Sequence, residues 1–160
     1  MKILGIILLF VGAIRSVKLY TAYLHKQLEV LCDWEKIFRC WKDWMVRFSF
    51  SVDELIRYTA QDIATSSLTS AQQMENENIR QLIDRLNCES VLPKDELEII
   101  IVTLREIGNS LTENELEGLN RSICSLQEKI TEREKTVKER TALLYKLIPL
   151  LCGALAVVLW

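Results

Sequence analysis

Thr112–Trp160, TENELEGLNRSICSLQEKITEREKTVKERTALLYKLIPLLCGALAVVLW, is the stretch whose reading decides the fold. It opens on Thr112-Glu113-Asn114-Glu115, a capping box in which the Thr and Glu side chains can each satisfy an unpaired N–H at a helix start. No Pro interrupts it before Pro149, and apolar residues recur at Leu119, Ile123, Leu126 and Ile130, then at Val137, Leu144 and Leu147. Steps of three and four residues put these side chains on one helical face. The run EKITEREKTVKER between Glu128 and Arg140 is dense in mixed charge, whereas LLYKLIPLLCGALAVVLW after it is almost bare of charge. The pattern predicts a charged amphipathic helix that runs into a membrane. At ~1.5 Å per residue, 113–160 would extend roughly 70 Å as one continuous helix.

The amino-terminal end mirrors this arrangement. Met1-Lys2 precedes ILGIILLFVGAI, twelve apolar residues that end at Arg15. A run of that length is short for a spanning helix and is also the size of a signal-peptide core. No small-x-small cleavage site precedes the charges and the helical pattern continues without a break, which favours a retained anchor over a cleaved signal. Arg15 and Lys18 can snorkel to lipid headgroups from such an anchor. Positive charges beside each apolar run (Arg15, Lys18 and Lys26 after the first, Lys138, Arg140 and Lys146 before the second) place the central region in the cytoplasm. Lys146 and Trp160 complete the expected set of membrane-interface anchors, with Arg15 and Lys18.

From Leu19 to Phe48 the helical period continues through Leu24, Leu28, Leu31, Trp34, Phe38, Trp41, Met45 and Phe48. One reading makes Trp34, Phe38, Trp41 and Phe48 the core-facing stripe of a long helix. The other makes part of this surface, namely Trp41, Trp44 and Arg47, a partner-docking patch. Ser51-Val52-Asp53-Glu54 is a second capping box and opens a short helix carrying Leu55, Ile56 and Ile63. Thr65–Ser70 reads as a loop, and Met74, Ile79, Leu82 and Leu86 mark a helix that ends at Asn87. Pro93 suits the first position of the next helix, whose stripe is Leu97, Ile100, Ile101, Leu104 and Ile107, with Gly108-Asn109 as its stop. Arg133 and Arg140 interrupt the apolar seam of the last helix, so a continuous two-stranded coiled coil is not expected there.

The predicted fold is therefore all-α, a membrane-anchored helical bundle. Residues 1–18 form an amino-terminal anchor, 19–142 a cytoplasmic bundle (helices 19–48, 52–64, 71–87, 93–107 and 113–142), and 143–160 a second span. The mean hydropathy of +0.11 averages apolar ends with a polar centre. A net charge of -2 and a pI near 5.6 supply no basic field for a nucleic-acid backbone. Cys32, Cys40, Cys88, Cys124 and Cys152 form no CxxC pair, and His25 is the lone histidine, so neither a disulfide framework nor a zinc site is indicated. The cysteines are expected to be reduced, buried and structural. Gly-rich phosphate loops, GxSxG and HExxH motifs are missing from the sequence. The expectation is a protein with no catalytic residues, no cofactor and no small-molecule substrate.

The chain resembles the stage III sporulation protein AB family of endospore-forming bacteria over nearly its full length. The likeness rests on the start Met1-Lys2-Ile3-Leu4-Gly5, on the turn MVRFSFSVDELI, on LREIGNSLTENE followed by a long charged helix, and on Leu144-Tyr145-Lys146 leading into a final apolar run with Gly153. It departs from the family at Leu111-Thr112-Glu113-Asn114-Glu115, where a second glycine is usual, and at Pro149, which stands where a glycine is common. The resemblance implies a scaffold subunit of a secretion-like channel complex between mother cell and forespore, in the mother-cell cytoplasmic membrane. It also implies a soluble part similar to the cytoplasmic helical domain of type II secretion platform proteins, coupling a cytoplasmic ATPase to membrane subunits. Self-association into a homo-oligomer is a further expectation. The competing reading is a self-associating membrane-anchored adaptor outside any secretion machine.

Overall fold

A computed structural model describes residues 2–48, 54–57, 59, 79–107 and 112–159. The fold is all-α: helices α1 (Lys2–Phe48), α2 (Ile79–Glu89), α3 (Lys94–Glu106) and α4 (Thr112–Leu159) follow in order, and 54–57 are also helical. There is no strand among the described residues. The capping residues Ser51–Asp53, the loop 65–70, Met74, the Gly108-Asn109 stop and the Thr112 side chain of the capping box lie outside the described residues. Packing divides the chain into two compact units, Gln27–Thr131 and Met1–Lys26 with Glu132–Trp160.

The central unit, Gln27–Thr131, follows from the apolar stripes. Steps of three and four bring Leu31, Trp34, Phe38, Trp41 and Met45 of α1 into one buried cluster with Leu82, Ile83 and Leu86 of α2. Leu97, Ile100, Ile101, Leu104 and Ile107, then Leu119, Ile123 and Leu126 of α4, complete it. The three aromatic rings form a ladder, with Trp34 to Phe38 at 5.6 Å and Phe38 to Trp41 at 5.9 Å, both tilted as ring quadrupoles prefer. The core reading of Trp34, Phe38 and Trp41 thus holds. Phe48 differs: it is 60% exposed, because it stands at the last position of α1, past Met45, the last buried residue of the stripe.

Polar side chains tie the connections to this core. The buried Gln27 donates from Nε2 to the Val91 carbonyl at 2.7 Å, fixing the α2–α3 link against α1. Within that link, the Leu92 N–H donates to Ser90 Oγ at 3.2 Å. Helix α2 continues two residues past the expected end at Asn87, whose side chain donates back to the Ile83 carbonyl at 3.0 Å and so does not terminate the helix. Pro93 is the N-cap of α3, with Lys94 the first helical residue; no side chain caps this end, and Asp95 and Glu96 in the first turn complement the helix dipole. Ile107 leaves the helix in an extended conformation and its N–H bonds the Thr103 carbonyl.

The expectation of buried cysteines is corrected. Cys32 and Cys40 are half-buried, while Cys88 and Cys124 are exposed; none of the four is in a disulfide. Cys88 and Cys124 lie off the apolar stripes of α2 and α4, so the helical period itself turns them outward.

In the terminal unit, Val17, Thr21 and Leu24 of α1 and Val137 of α4 are buried. Thr21 Oγ1 lies 3.0 Å from the Val17 carbonyl, so its hydroxyl is satisfied inside its own helix. Leu19 is 66% exposed, and Val17, Thr21 and Leu24 define the inward face. Pro149 sits inside α4, where it cannot donate to the carbonyl four residues earlier, yet the helix runs on to Leu159. Among the described residues no helix is long and apolar enough to cross a membrane. Arg15 closes the first apolar run, and Lys146 and Pro149 interrupt the second.

Candidate functional site

The three residues marked as a docking patch separate on folding. Trp41 is fully buried, and its indole Nε1 donates to Thr59 Oγ1, which in turn donates to the Leu55 carbonyl at 2.7 Å. An indole enclosed and hydrogen-bonded in this way is a core residue, so Trp41 is withdrawn from the docking surface. Trp44 is half-buried and packs against the same core. Arg47 is exposed in the last turn of α1, between the exposed Val46 and Phe48.

The membrane-interface candidates fare differently. Arg15, Lys18 and Lys146 are all exposed, while Trp160 lies outside the described residues. Around them the terminal unit presents large apolar side chains to its surroundings. On α1 these are Leu8, Val11, Ile14 and Leu19; on α4 they are Leu143, Leu147, Leu150 and Val157, the last 78% exposed. Steps of three, four and seven residues align most of each set along its helix. Arg140 Nη1 donates to the Tyr20 hydroxyl at 3.2 Å, a pairing between helical segments 120 residues apart. The sequence showed Arg140 as an interruption of the apolar seam and as a positive charge beside the second apolar run, but not its partner, because periodicity carries no information about a residue so distant in the chain.

Inside the central unit, α3 and α4 flank a cleft of about 430 Å³. Asp95, Glu98 and Glu106 line it with Arg121, and its floor carries Thr103 and Ser122. Thr103 Oγ1 is 2.6 Å from the Ile99 carbonyl and 2.7 Å from Ser122 Oγ. With one proton on each hydroxyl, the Thr103 proton goes to the carbonyl and Ser122 donates to Thr103. Both hydroxyls are thereby engaged in joining α3 to α4. Asp95 pairs with Lys129 of α4 at 3.6 Å, a further link across the same seam. Gly118 faces this seam, and a Cβ there would meet Glu106 Oε2 at 3.4 Å. The cleft is a polar packing seam between helices.

Glu35 makes a comparable link on another face. Its carboxylate accepts from Arg39 one turn along α1 and from Gln127 Nε2 of α4 at 3.0 Å. These contacts position helices and leave the basic and apolar surface of the terminal unit as the strongest candidate for function. Comparison with protein-family models, with curated proteins and with solved structures found no match to this chain.

Proposed function

We propose that this chain is a non-catalytic helical scaffold held at a membrane by its apolar segments 1–18 and 143–160. The observation that carries the reading is the exposure of Leu8, Val11, Ile14, Leu147, Leu150 and Val157. Apolar area gains ~25 cal/mol per Å² when it leaves water, and an exposed series of this kind marks an interaction surface. Arg15, Lys18 and Lys146 beside it have the placement of interface anchors. Both apolar segments are short, and local bilayer thinning with snorkelling of these cations accommodates the mismatch.

The likeness to stage III sporulation protein AB supports a finer reading. In it, the chain is a subunit of the secretion-like complex between mother cell and forespore, with its central bundle on the cytoplasmic side, coupling an ATPase to membrane subunits. That reading rests on the order and spacing of the motifs around Met1–Gly5, Met45–Ile56, Leu104–Glu115 and Leu144–Gly153. Its test is deletion of the gene in its host with complementation by the intact chain, counting heat-resistant spores and identifying proteins that co-purify with a tagged copy. A severe loss of spores, with an ATPase and membrane subunits in the purified complex, is expected. Normal spore counts with the chain still in the membrane fraction would replace the channel subunit with the self-associating adaptor.

A further inference from the structure

The distribution of charge along the chain is lopsided. Lys2, Arg15, Lys18 and Lys26 are the charged residues before Glu29, and Arg140 and Lys146 are those after Glu139. The two ends therefore carry cations and no carboxylate, in a chain whose net charge is -2. Arg15, Lys18, Lys26, Arg140 and Lys146 are all exposed. They share the terminal unit with exposed Tyr20, Tyr23 and Tyr145, side chains whose apolar ring and polar hydroxyl suit a membrane–water interface. Arg140 is further oriented by its bond to the Tyr20 hydroxyl, which uses one of five guanidinium N–H donors and leaves the rest for an acceptor outside the protein.

We infer that the terminal unit binds the phosphate-bearing headgroups of anionic phospholipids, with Arg15, Lys18, Arg140 and Lys146 as the contacting cations. The inference rests on the membrane reading above and adds to it a choice of lipid. Charge complementarity carries it: the terminal unit holds nine Lys and Arg residues against three carboxylates, Glu132, Glu134 and Glu139, so it gains from a negative leaflet, while the acidic centre of the chain is repelled by it. Guanidinium groups add two-pronged hydrogen bonding to phosphate oxygens, which an ammonium does not match. Tyr20 acts as a positioning residue for Arg140.

The test is flotation of the full-length chain, synthesised in the presence of vesicles, with either pure phosphatidylcholine or a mixture of phosphatidylcholine and phosphatidylglycerol. The chain should partition more strongly into the anionic vesicles, and each cation replaced by Gln should lower that preference by about fivefold. Raising salt from about 0.05 to 0.5 M should shrink the preference, since surface charges are then screened. R15Q/K18Q/R140Q/K146Q should still float with phosphatidylcholine and keep its helical circular dichroism, which separates loss of headgroup binding from loss of folding. Tyr20→Phe should reduce the preference by less than Arg140→Gln. Equal partition of the native chain into both vesicles would overturn the lipid choice and leave the membrane reading standing. Flotation with neither would overturn both.

Discussion

Trp34 and Trp41 lie fully buried in one core, yet among the described residues only Trp41 has an acceptor for its indole N–H. Trp→Phe at either position removes a similar apolar volume, at a cost of about 1–2 kcal/mol. At Trp41 the change also deletes the hydrogen bond to Thr59, worth about 1 kcal/mol net. At Trp34 it deletes a donor that finds no partner among the described residues, and relief of an unsatisfied buried N–H returns about 1–3 kcal/mol. Trp41→Phe should therefore be the more destabilising by about 2–4 kcal/mol, a change of at least roughly thirtyfold in the folding equilibrium. Thr59→Val completes a double-mutant cycle: it keeps the side-chain shape and strands the Trp41 N–H, so the coupling energy should be about 1 kcal/mol. The assay is urea unfolding of the full-length chain in mild detergent, followed by circular dichroism. If Trp41→Phe left the midpoint unmoved, or cost less than Trp34→Phe, the assignment of Trp41 to the hydrogen-bonded core would be wrong and its place on a docking surface restored.

Three further substitutions probe other parts of the central unit by the same unfolding assay. Ile101→Asp puts a carboxylate into the buried stripe of α3 and should cost at least about 4 kcal/mol, enough to unfold the bundle; a native-like melt would refute the core assignment. Gly118→Ala should stabilise by about 0.5–1 kcal/mol, because the new Cβ makes ordinary contact with the flexible end of Glu106 while Ala is the better helix former; a loss of stability would show that the α3–α4 seam tolerates no methyl. Gln27→Ala removes the donor to the Val91 carbonyl and should cost about 1–2 kcal/mol, with faster amide exchange confined first to residues 90–92; unchanged exchange there would separate Gln27 from the α2–α3 link.

Most of the fold was legible because helical period and burial are two expressions of one constraint. Leu97, Ile100, Ile101, Leu104 and Ile107 recur at the spacing that makes one face, and each is buried. Trp34, Phe38 and Trp41 follow the same rule. Periodicity could not say where a stripe stops being covered, and so it ran on to Phe48, which is exposed at the end of α1. It also could not show partners far apart in sequence: Gln27 with Val91, Trp41 with Thr59 and Arg140 with Tyr20 depend on tertiary packing. Helix ends moved by a residue or two where a side chain bonded back into its own helix, as Asn87 does, which no propensity rule ranks in advance. Of the candidate site, the exposure of Arg15, Lys18 and Lys146 was readable because long cations keep their charged heads in water even beside apolar runs. Trp41 was ambiguous because an aromatic residue serves a core and a hot spot equally well.

The central claim is that the apolar segments at the two ends of the chain hold the protein in a bilayer. Its most direct test is alkaline carbonate extraction of membranes from cells producing the full-length chain. The account predicts that the chain stays in the membrane pellet with embedded proteins, because burial of Leu8, Val11, Ile14, Leu147, Leu150 and Val157 does not depend on charge. Complete release into the supernatant, together with proteins bound only to the membrane surface, would contradict it.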